Sequence, residues 1–311
     1  MRVLVIGGLG FTGSVLVQDL LEEGHKVRVF DAAWFGSHLE AHPNLEIHIG
    51  DIRSDELPMD SIETVFHLAN VANDPSVDLA PTLSWEVNVL ATMRVVESAI
   101  KAGVKNFVFA SSGSVYGVKD EPEVTEDLEL VPISVYNKTK MAAERVLLSY
   151  KDQIKVWVVR PATVCGISPR MRLDLSVNLL TFQALTNSRI TVFGGDQVRP
   201  NIHVDDLSAV YRHFLAGKAP EGIYNAGFEN IAIIEMARTI ADRTGAEIVV
   251  SESNDPRSYR QSSAKLLATG FSPVKSVFHA VEELVSAFED GELTDRDEWY
   301  TVKSMTRKGL A

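Results

Sequence analysis

The sequence predicts an α/β fold, a doubly wound parallel sheet with a smaller mixed α/β region after it. Three observations predict it. Short β-rich runs alternate with helically spaced ones through the first half, the pattern of a parallel sheet covered on both faces. The first run, VLVI (3–6), is apolar throughout, as a strand buried on both faces should be. It leads straight into the glycine-rich stretch GGLGFTG (7–13) and then into the helical spacing of SVLVQDLLEEG.

Taken in order, strands are expected at RVLVI (2–6), KVRVF (26–30), LEIHI (45–49), TVFHLA (64–69), NFVFAS (106–111) and KVWVVR (155–160). Helices are expected between them at 12–23, 82–102 and 137–151, where apolar residues recur with a period near 3.6. From about residue 165 the pattern loosens. A helix at 175–187 precedes the short runs ITVF (190–193) and NIHV (201–204), then helices at 205–216 and 233–244. EIVV (247–250) and a helix at 276–289 follow. The polar tail beginning EDGELTDRDEW offers Trp299 and Tyr300 as anchors but no period. We read residues 1–164 as a nucleotide-binding domain and 165–311 as mainly a substrate-binding region, with about 201–234 returning to the first domain.

Composition bounds the function. Of 311 residues, 45% are hydrophobic and 23% charged, ordinary for a globular protein. A net charge of −12 argues against nucleic acid as a partner, because such binders need a basic face. No stretch approaches the roughly 18 apolar residues of a membrane span, and the apolar run after Arg2 is too short for a signal peptide. Cys165, the single cysteine, excludes an internal disulfide and a multi-cysteine metal site, and no metal site is read. A cytoplasmic protein is the expectation.

The glycines fit two registers, G-x-G-x-x-G from Gly8 and G-x-x-G-x-x-G from Gly7. In either register a strand, a glycine turn and a helix N-terminus present free N–H groups to a phosphate, the start of a Rossmann-type dinucleotide site. Asp31 closes the second strand 18 residues after Gly13. A carboxylate there can accept both ribose hydroxyls and repels a 2′-phosphate, which favours NAD over NADP; an aspartate ending a strand at the surface gives the same letters. In GDIRS (50–54), Asp51 is placed to receive the adenine amino group and Ile52 to cover the ring, although a plain turn reads alike.

SVYNKTKMAAERVLL (134–148) puts Tyr136 and Lys140 four apart, on one helix face. A neighbouring ammonium favours phenolate and makes the tyrosine a candidate base; an amphipathic helix with a half-exposed tyrosine is the plainer alternative. FVFASSGSVYG (107–117) places Ser112 at the carboxyl end of a strand, the side of an open sheet on which ligands bind.

With those motifs the chain resembles the extended short-chain dehydrogenases/reductases, in the NAD-dependent epimerase/dehydratase family acting on nucleotide sugars. GGLGFTG, HLAN (67–70), VNVLAT (87–92), SSGSVYG (111–117), YNKTK (136–140), RPATVCG (160–166), RPNIHVDDL (199–207) and DPRSYRQSSAKLLATGFSP (255–273) stand in the family's order. The resemblance implies the register Gly7, Gly10, Gly13, with Phe11 and Thr12 in the turn. It implies Tyr136 as base, Lys140 as its activator and ribose anchor, and Ser112 as the third catalytic group. Leu68 and Ala69 would flank the adenosine side, with Pro161, Ala162 and Thr163 against the nicotinamide. Asn88, Asn178, Arg199 and Arg257 would touch the substrate, with Ser112. Ala91 stands where the family usually has glycine and Asn70 where alanine is common; neither change removes a catalytic atom.

The implied reaction is NAD-dependent oxidation of a sugar, most often at C4, through a 4-keto sugar, by a 4-epimerase or a 4-dehydrogenase. The family's 4,6-dehydratases carry an Asp-Glu pair after the hydroxyl residue, whereas Gly113 and Ser114 stand here, so a dehydratase ranks low. CGISPRMRLDLSVN (165–178) resembles enzymes that oxidise C4 of nucleotide-activated heptoses. Between 165 and 200, Arg170, Arg172, Arg189 and Arg199 outnumber Asp174 and Asp196, a local excess of positive charge suited to a diphosphate; Arg189 reads as solvated. The rival from another class is a non-catalytic redox sensor that only binds NAD, although such proteins tend to lose the tyrosine or lysine. A steroid or flavonoid reductase would want NADP and an apolar pocket. A homodimer through the helices at 82–102 and 137–151 is implied.

Overall fold

VLVI is fully buried, because strands flank it on both sides and helices cover both faces. In the computed structural model, which describes residues 1–253 and 258–310, it belongs to β1 (Arg2–Ile6). α1 (Phe11–Glu22) and β2 (Lys26–Asp31) follow, then β3 (Leu45–Ile49), a partly exposed edge strand, and β4 (Thr64–His67). α2 (Asp74–Leu79) and α3 (Pro81–Trp85) lead through a π turn (Glu86–Leu90) into α4 (Ala91–Lys101). The sheet continues with β5 (Asn106–Ala110), α5 (Val135–Leu148) and β6 (Lys155–Pro161).

Beyond it run β7 (Thr163–Cys165), α6 (Ser176–Asn187), β8 (Arg189–Phe193), β9 (Val198–His203) and α7 (Val204–Leu215). β10 (Gly222–Ala226), β11 (Glu229–Ala232), α8 (Ile233–Thr244) and β12 (Glu247–Ser251) come next. α9 (Ala264–Leu267), α10 (Val277–Glu289) and α11 (Thr301–Arg307) complete the described chain.

The main sheet has seven parallel strands in the order β10-β6-β5-β4-β1-β2-β3. The strand order reverses direction at β1, so the carboxyl ends of β1 and β4 part and leave a crevice. β10 adds a seventh strand where the sequence reading placed six, and α7 packs Leu207, Val210, Tyr211 and Phe214 into the core that holds Leu16, Val17 and Leu20 of α1. A separate core gathers α6, α8 and α10 around the parallel pair β8 and β12. β7, β9 and β11 form a three-stranded sheet between the two regions.

The expected helix at 82–102 is broken by the π turn, which carries Asn88 inward. The expected helix at 137–151 starts two residues earlier, where Ser134 caps it, and ends at Leu148. The expected strand at 64–69 ends at His67, freeing Leu68 and Ala69 to face the crevice. No described helix is long and apolar enough to cross a membrane.

Candidate active site

Gly7 follows β1 with φ of +86°, a conformation that favours glycine, and a Cβ there would stand 2.5 Å from the Ala69 nitrogen. A Cβ on Gly13 would collide with the Gly7 carbonyl oxygen and come within 2.8 Å of Gly8 Cα. Gly8 instead faces the Val29 side chain, 2.8 Å from its hypothetical Cβ, so within this turn Gly7, Gly10 and Gly13 border the crevice. The space left is an open cleft. Besides those glycines it is lined by Phe11, Thr12, Asp31, Asp51, Ile52, Leu68 and Ala69 from the expected cofactor set.

The Asp31 carboxylate accepts the N–H groups of Leu9 at 3.0 Å and Ala33 at 2.8 Å, which aim it into the cleft. Burial pushes its pKa up, while those bonds and the charge of Arg170 pull it down. Asp51 is gripped by Arg53 at 2.7 Å, which holds its carboxyl below the usual range. Arg53 also reaches Glu86 at 2.6 Å. Glycines that clear room for a phosphate, a carboxylate for a ribose and the buried Ile52 as a wall fit an NAD molecule laid across the crevice.

Ser112 follows the carboxyl end of β5 and caps a short 3₁₀ turn, receiving the Ser114 N–H at 3.2 Å and pairing with the Ser114 hydroxyl at 2.8 Å. It also lies close to the Tyr136 phenol, in the first turn of α5. Burial pushes that phenol up to about 12, while Ser112 and the positive charge of Arg172 pull it down. Lys140 lies one turn further, 2% exposed, its ammonium donating to the Ala110 carbonyl at 2.8 Å and sitting 5.1 Å from the Phe109 ring centre. Burial lowers its pKa to about 7, against the pull of Glu144. The ammonium is turned to the strand, and the cation acting on the phenol is Arg172.

A family model described as the NAD dependent epimerase/dehydratase family matches residues 3–227. The chain belongs to this family. It is an NAD-dependent enzyme. A UDP-glucose 4-epimerase of Lactobacillus helveticus is 30% identical over 279 residues, 80% of this chain and 83% of that one. A 3 beta-hydroxysteroid dehydrogenase/Delta 5-->4-isomerase of Mycobacterium tuberculosis is 36% identical over 268 residues, 78% of this chain and 70% of that one. The crystal structure of the Thermus thermophilus UDP-glucose 4-epimerase in complex with NAD superposes with a TM-score of 0.82 at 28% identity, over 92% of this chain and 100% of that one.

Beneath the site of this epimerase/dehydratase-family enzyme lies a buried polar network. Arg160 pairs with Glu144 at 2.7 Å and donates to the Tyr116 hydroxyl at 2.7 Å; Ser111 donates to Glu144. Tyr116 passes the chain on to Asn225 of β10 at 2.8 Å. This ties α5 to the sheet and holds Tyr136 and Lys140 at a set height.

The expected substrate contacts fare differently. Asn88 is 1% exposed and gives its amide hydrogens to Val71 O and Thr139 Oγ1, at 3.1 and 3.0 Å, while its oxygen accepts the Val71 N–H at 2.8 Å. It fastens the loop after β4 to α5 rather than reaching a sugar. Asn178 is fully buried, and its amide is committed to Gly166 and the Arg172 carbonyl, so it shapes the loop that presents Arg172. Arg199 is half-buried on β9. Arg257 lies outside the described residues. Pro161 ends β6 and Thr163 begins β7, both half-buried at the carboxyl end of the sheet, beside the cleft-lining Val164. Arg189 is exposed.

Sequence reasoning missed Trp34, Phe35, Arg170, Arg172, Thr301 and Met305 as walls of the cleft. The local excess of positive charge singles out the two arginines, but for the substrate. Nothing periodic in the tail announces Thr301 and Met305. Among the described residues, His203, Asp205 and Glu283 have metal-ligand spacing, but the Lys275 ammonium already sits 2.6 Å from Asp205 and 2.5 Å from Glu283.

Proposed function

We propose that this enzyme oxidises C4 of a nucleotide-activated sugar to a 4-keto sugar, as a 4-epimerase or a 4-dehydrogenase. The observation that carries the reading is the buried Tyr136 phenol at the start of α5, acted on by Ser112 and by Arg172, an arginine that lines the cleft built for a dinucleotide. NAD, when bound, supplies the acceptor for the hydride leaving the carbinol carbon. The chain handles the proton. Ser112 orients the sugar hydroxyl and steadies the phenol oxygen, and Tyr136 takes the hydroxyl proton. A phenol pushed by burial to about 12 needs positive charge to act as a base at neutral pH; Arg172 supplies it in the free protein, and Lys140 would anchor the nicotinamide ribose.

The roles assigned to Gly7, Gly10, Phe11, Thr12, Gly13, Asp31, Asp51, Ile52, Leu68, Ala69, Pro161 and Thr163 toward NAD, and of Ser112 and Arg199 toward the substrate, are parts of the same proposal. Water elimination across C5 and C6 is disfavoured, because Gly113 and Ser114 put no carboxyl group after Ser112. A nucleotide sugar fits better than a steroid, because the family resemblance sets Arg199 toward a substrate diphosphate and a steroid has none. The protein acts in the cytoplasm and as a homodimer; exposed Trp85, Leu90 and Met93 on one helical stretch support the dimer.

Tyr136→Phe tests the mechanism. Turnover should fall by about 10²–10⁴-fold with NAD affinity kept; full turnover would refute the assignment. Incubation with NAD and UDP-, GDP-, dTDP- and CDP-sugars, read by 340 nm absorbance and sugar NMR, separates the two reactions. An epimer without net absorbance marks a 4-epimerase, and accumulated NADH marks a dehydrogenase. No response to any sugar would favour the redox sensor.

A further inference from the structure

We propose that Arg170 and Arg172 grip the diphosphate of the bound dinucleotide, and that the C-terminal segment straps both arginines over it. The proposal rests on the reading of the cleft as the NAD site and assigns it a roof. Both arginines line the cleft that Gly10 and Thr12 open. Arg170 is 2% exposed, and its Nε and Nη2 have no hydrogen-bond partner. Arg172 gives its Nε to Asp174 at 2.8 Å, while its Nη2 is buried without a partner. Buried guanidinium N–H groups are costly to leave unpaired, and the anion that suits their planar fork is a phosphate.

Their position selects which phosphate. Ser168, two residues before Arg170, donates to the Phe11 carbonyl at 2.6 Å and pairs with the Ser14 hydroxyl at 3.0 Å. The loop is thereby pinned across the first turn of α1, where helix N–H groups and dipole already favour anions. The charge of Arg170 acts on Asp31, at the adenosine ribose end, and that of Arg172 acts on Tyr136, at the reacting end. A dinucleotide carries its diphosphate between its two riboses, hence between these two arginines. The Arg170 guanidinium lies over the Phe35 ring, 3.9 Å from its centre, which restrains its position. Burial and repulsion by Arg172 lower its pKa to about 9, a strain that a bound anion relieves.

The strap is built from the tail. Leu173 donates its N–H to the Trp299 carbonyl at 2.9 Å, and the Thr301 N–H donates to Asp174 at 3.0 Å. Asp174 therefore joins the tail to Arg172 through one carboxylate. Trp299 is 8% exposed, packed with Phe11, Val15 and Met171, and Thr301 and Met305 face the cleft.

The full chain, its Arg170→Met and Arg172→Met variants, and Arg170→Lys are titrated with NAD, ADP-ribose, adenosine and UDP-glucose by calorimetry, with thermal unfolding as the folding control. The methionine variants should bind NAD and ADP-ribose about 10–100-fold more weakly with adenosine unchanged, and Arg170→Lys should recover part of the loss. Thr301→Pro removes the N–H to Asp174, since Thr301 opens α11 after the extended Tyr300, where proline is tolerated, and Thr301→Val, which keeps that N–H, controls for the lost hydroxyl. Thr301→Pro should release NAD severalfold faster. Unchanged NAD binding with weakened UDP-glucose binding would place the arginines on the substrate and overturn the proposal. An unchanged release rate in Thr301→Pro would overturn the strap. Wild-type chain that bound neither NAD nor ADP-ribose would overturn the cofactor reading itself, an outcome distinct from normal binding in every variant, which overturns this proposal alone.

Discussion

Replacing Lys140 by methionine should abolish turnover yet stabilise the cofactor-free protein at neutral pH. The ammonium is 2% exposed and donates to the Ala110 carbonyl at 2.8 Å. The carboxylate that acts on it, Glu144, is already paired with Arg160 at 2.7 Å in an interior where both side chains are almost fully buried. The lysine is thus an excess charge in a neutralised core, and burial lowers its pKa from 10.5 to about 7.

The sign follows from which state holds the proton. Below pH 7 both states are charged, and the folded state bears the whole cost of burial. Between about 7 and 10.5 the unfolded chain keeps a proton that the native state has released, so wild-type stability rises with pH. At about 1.4 kcal/mol per pH unit the ceiling is about 5 kcal/mol. Losing the bond to Ala110 offsets about 1–3 kcal/mol, leaving a net gain of about 2 kcal/mol for Lys140→Met at pH 7. Urea unfolding of both proteins at pH 6, 7, 8 and 9, followed by tryptophan fluorescence, measures it. The wild type should close the gap by about 2 kcal/mol between pH 7 and pH 9. A difference that stays constant with pH, or a variant less stable at pH 6, would refute the reasoning.

Gly13→Ala drives a Cβ into the Gly7 carbonyl and to 2.8 Å from Gly8 Cα, both backbone, so it should cost about 1–3 kcal/mol in thermal unfolding and lower NAD affinity. Asp31→Asn keeps the bonds to Leu9 and Ala33 in part but removes the charge, so the ratio of NADP to NAD dissociation constants should shrink about tenfold, as read by fluorescence titration. Burial raises the Glu283 pKa, but His203 and Lys275 outweigh it and leave about 2. Its contribution is present above the ordinary 4.5 and lost as pH falls towards 2; with the side chain 30% exposed, Glu283→Gln should cost only about 1 kcal/mol at pH 7, fading in acid, and EDTA should change nothing.

Much of the fold was legible because the signals are local. The apolar runs of β1, β5 and β6 and the spacing of α1, α6, α8 and α10 follow from which residues a strand or helix must bury. β10 was missed because GIYNA is short and carries Asn225, whose polarity makes sense only once it bonds Tyr116 and the Val124 carbonyl. α2 and α11, with six and seven residues, lack the length for a readable period. Asn178 illustrates the limit for the site. Its letter says hydrogen-bonding side chain, but only packing shows that its bonds are made within the protein.

From its letters alone, the chain specified a parallel sheet, a glycine turn after β1, an acid at the end of β2, and a tyrosine and lysine sharing one face of α5. Such features depend on neighbours a few residues away, and periodicity encodes them. The environment of those groups was settled only in three dimensions. The sequence placed Lys140 beside Tyr136, but the burial of α5 against β5 turned its ammonium to Ala110 and raised the phenol to about 12. Arg172, 36 residues along the chain from Tyr136, became the phenol's cation because a loop crosses the first turn of α1. Electrostatic energy depends on distance and on the water excluded between charges, and neither quantity is written in the order of the residues.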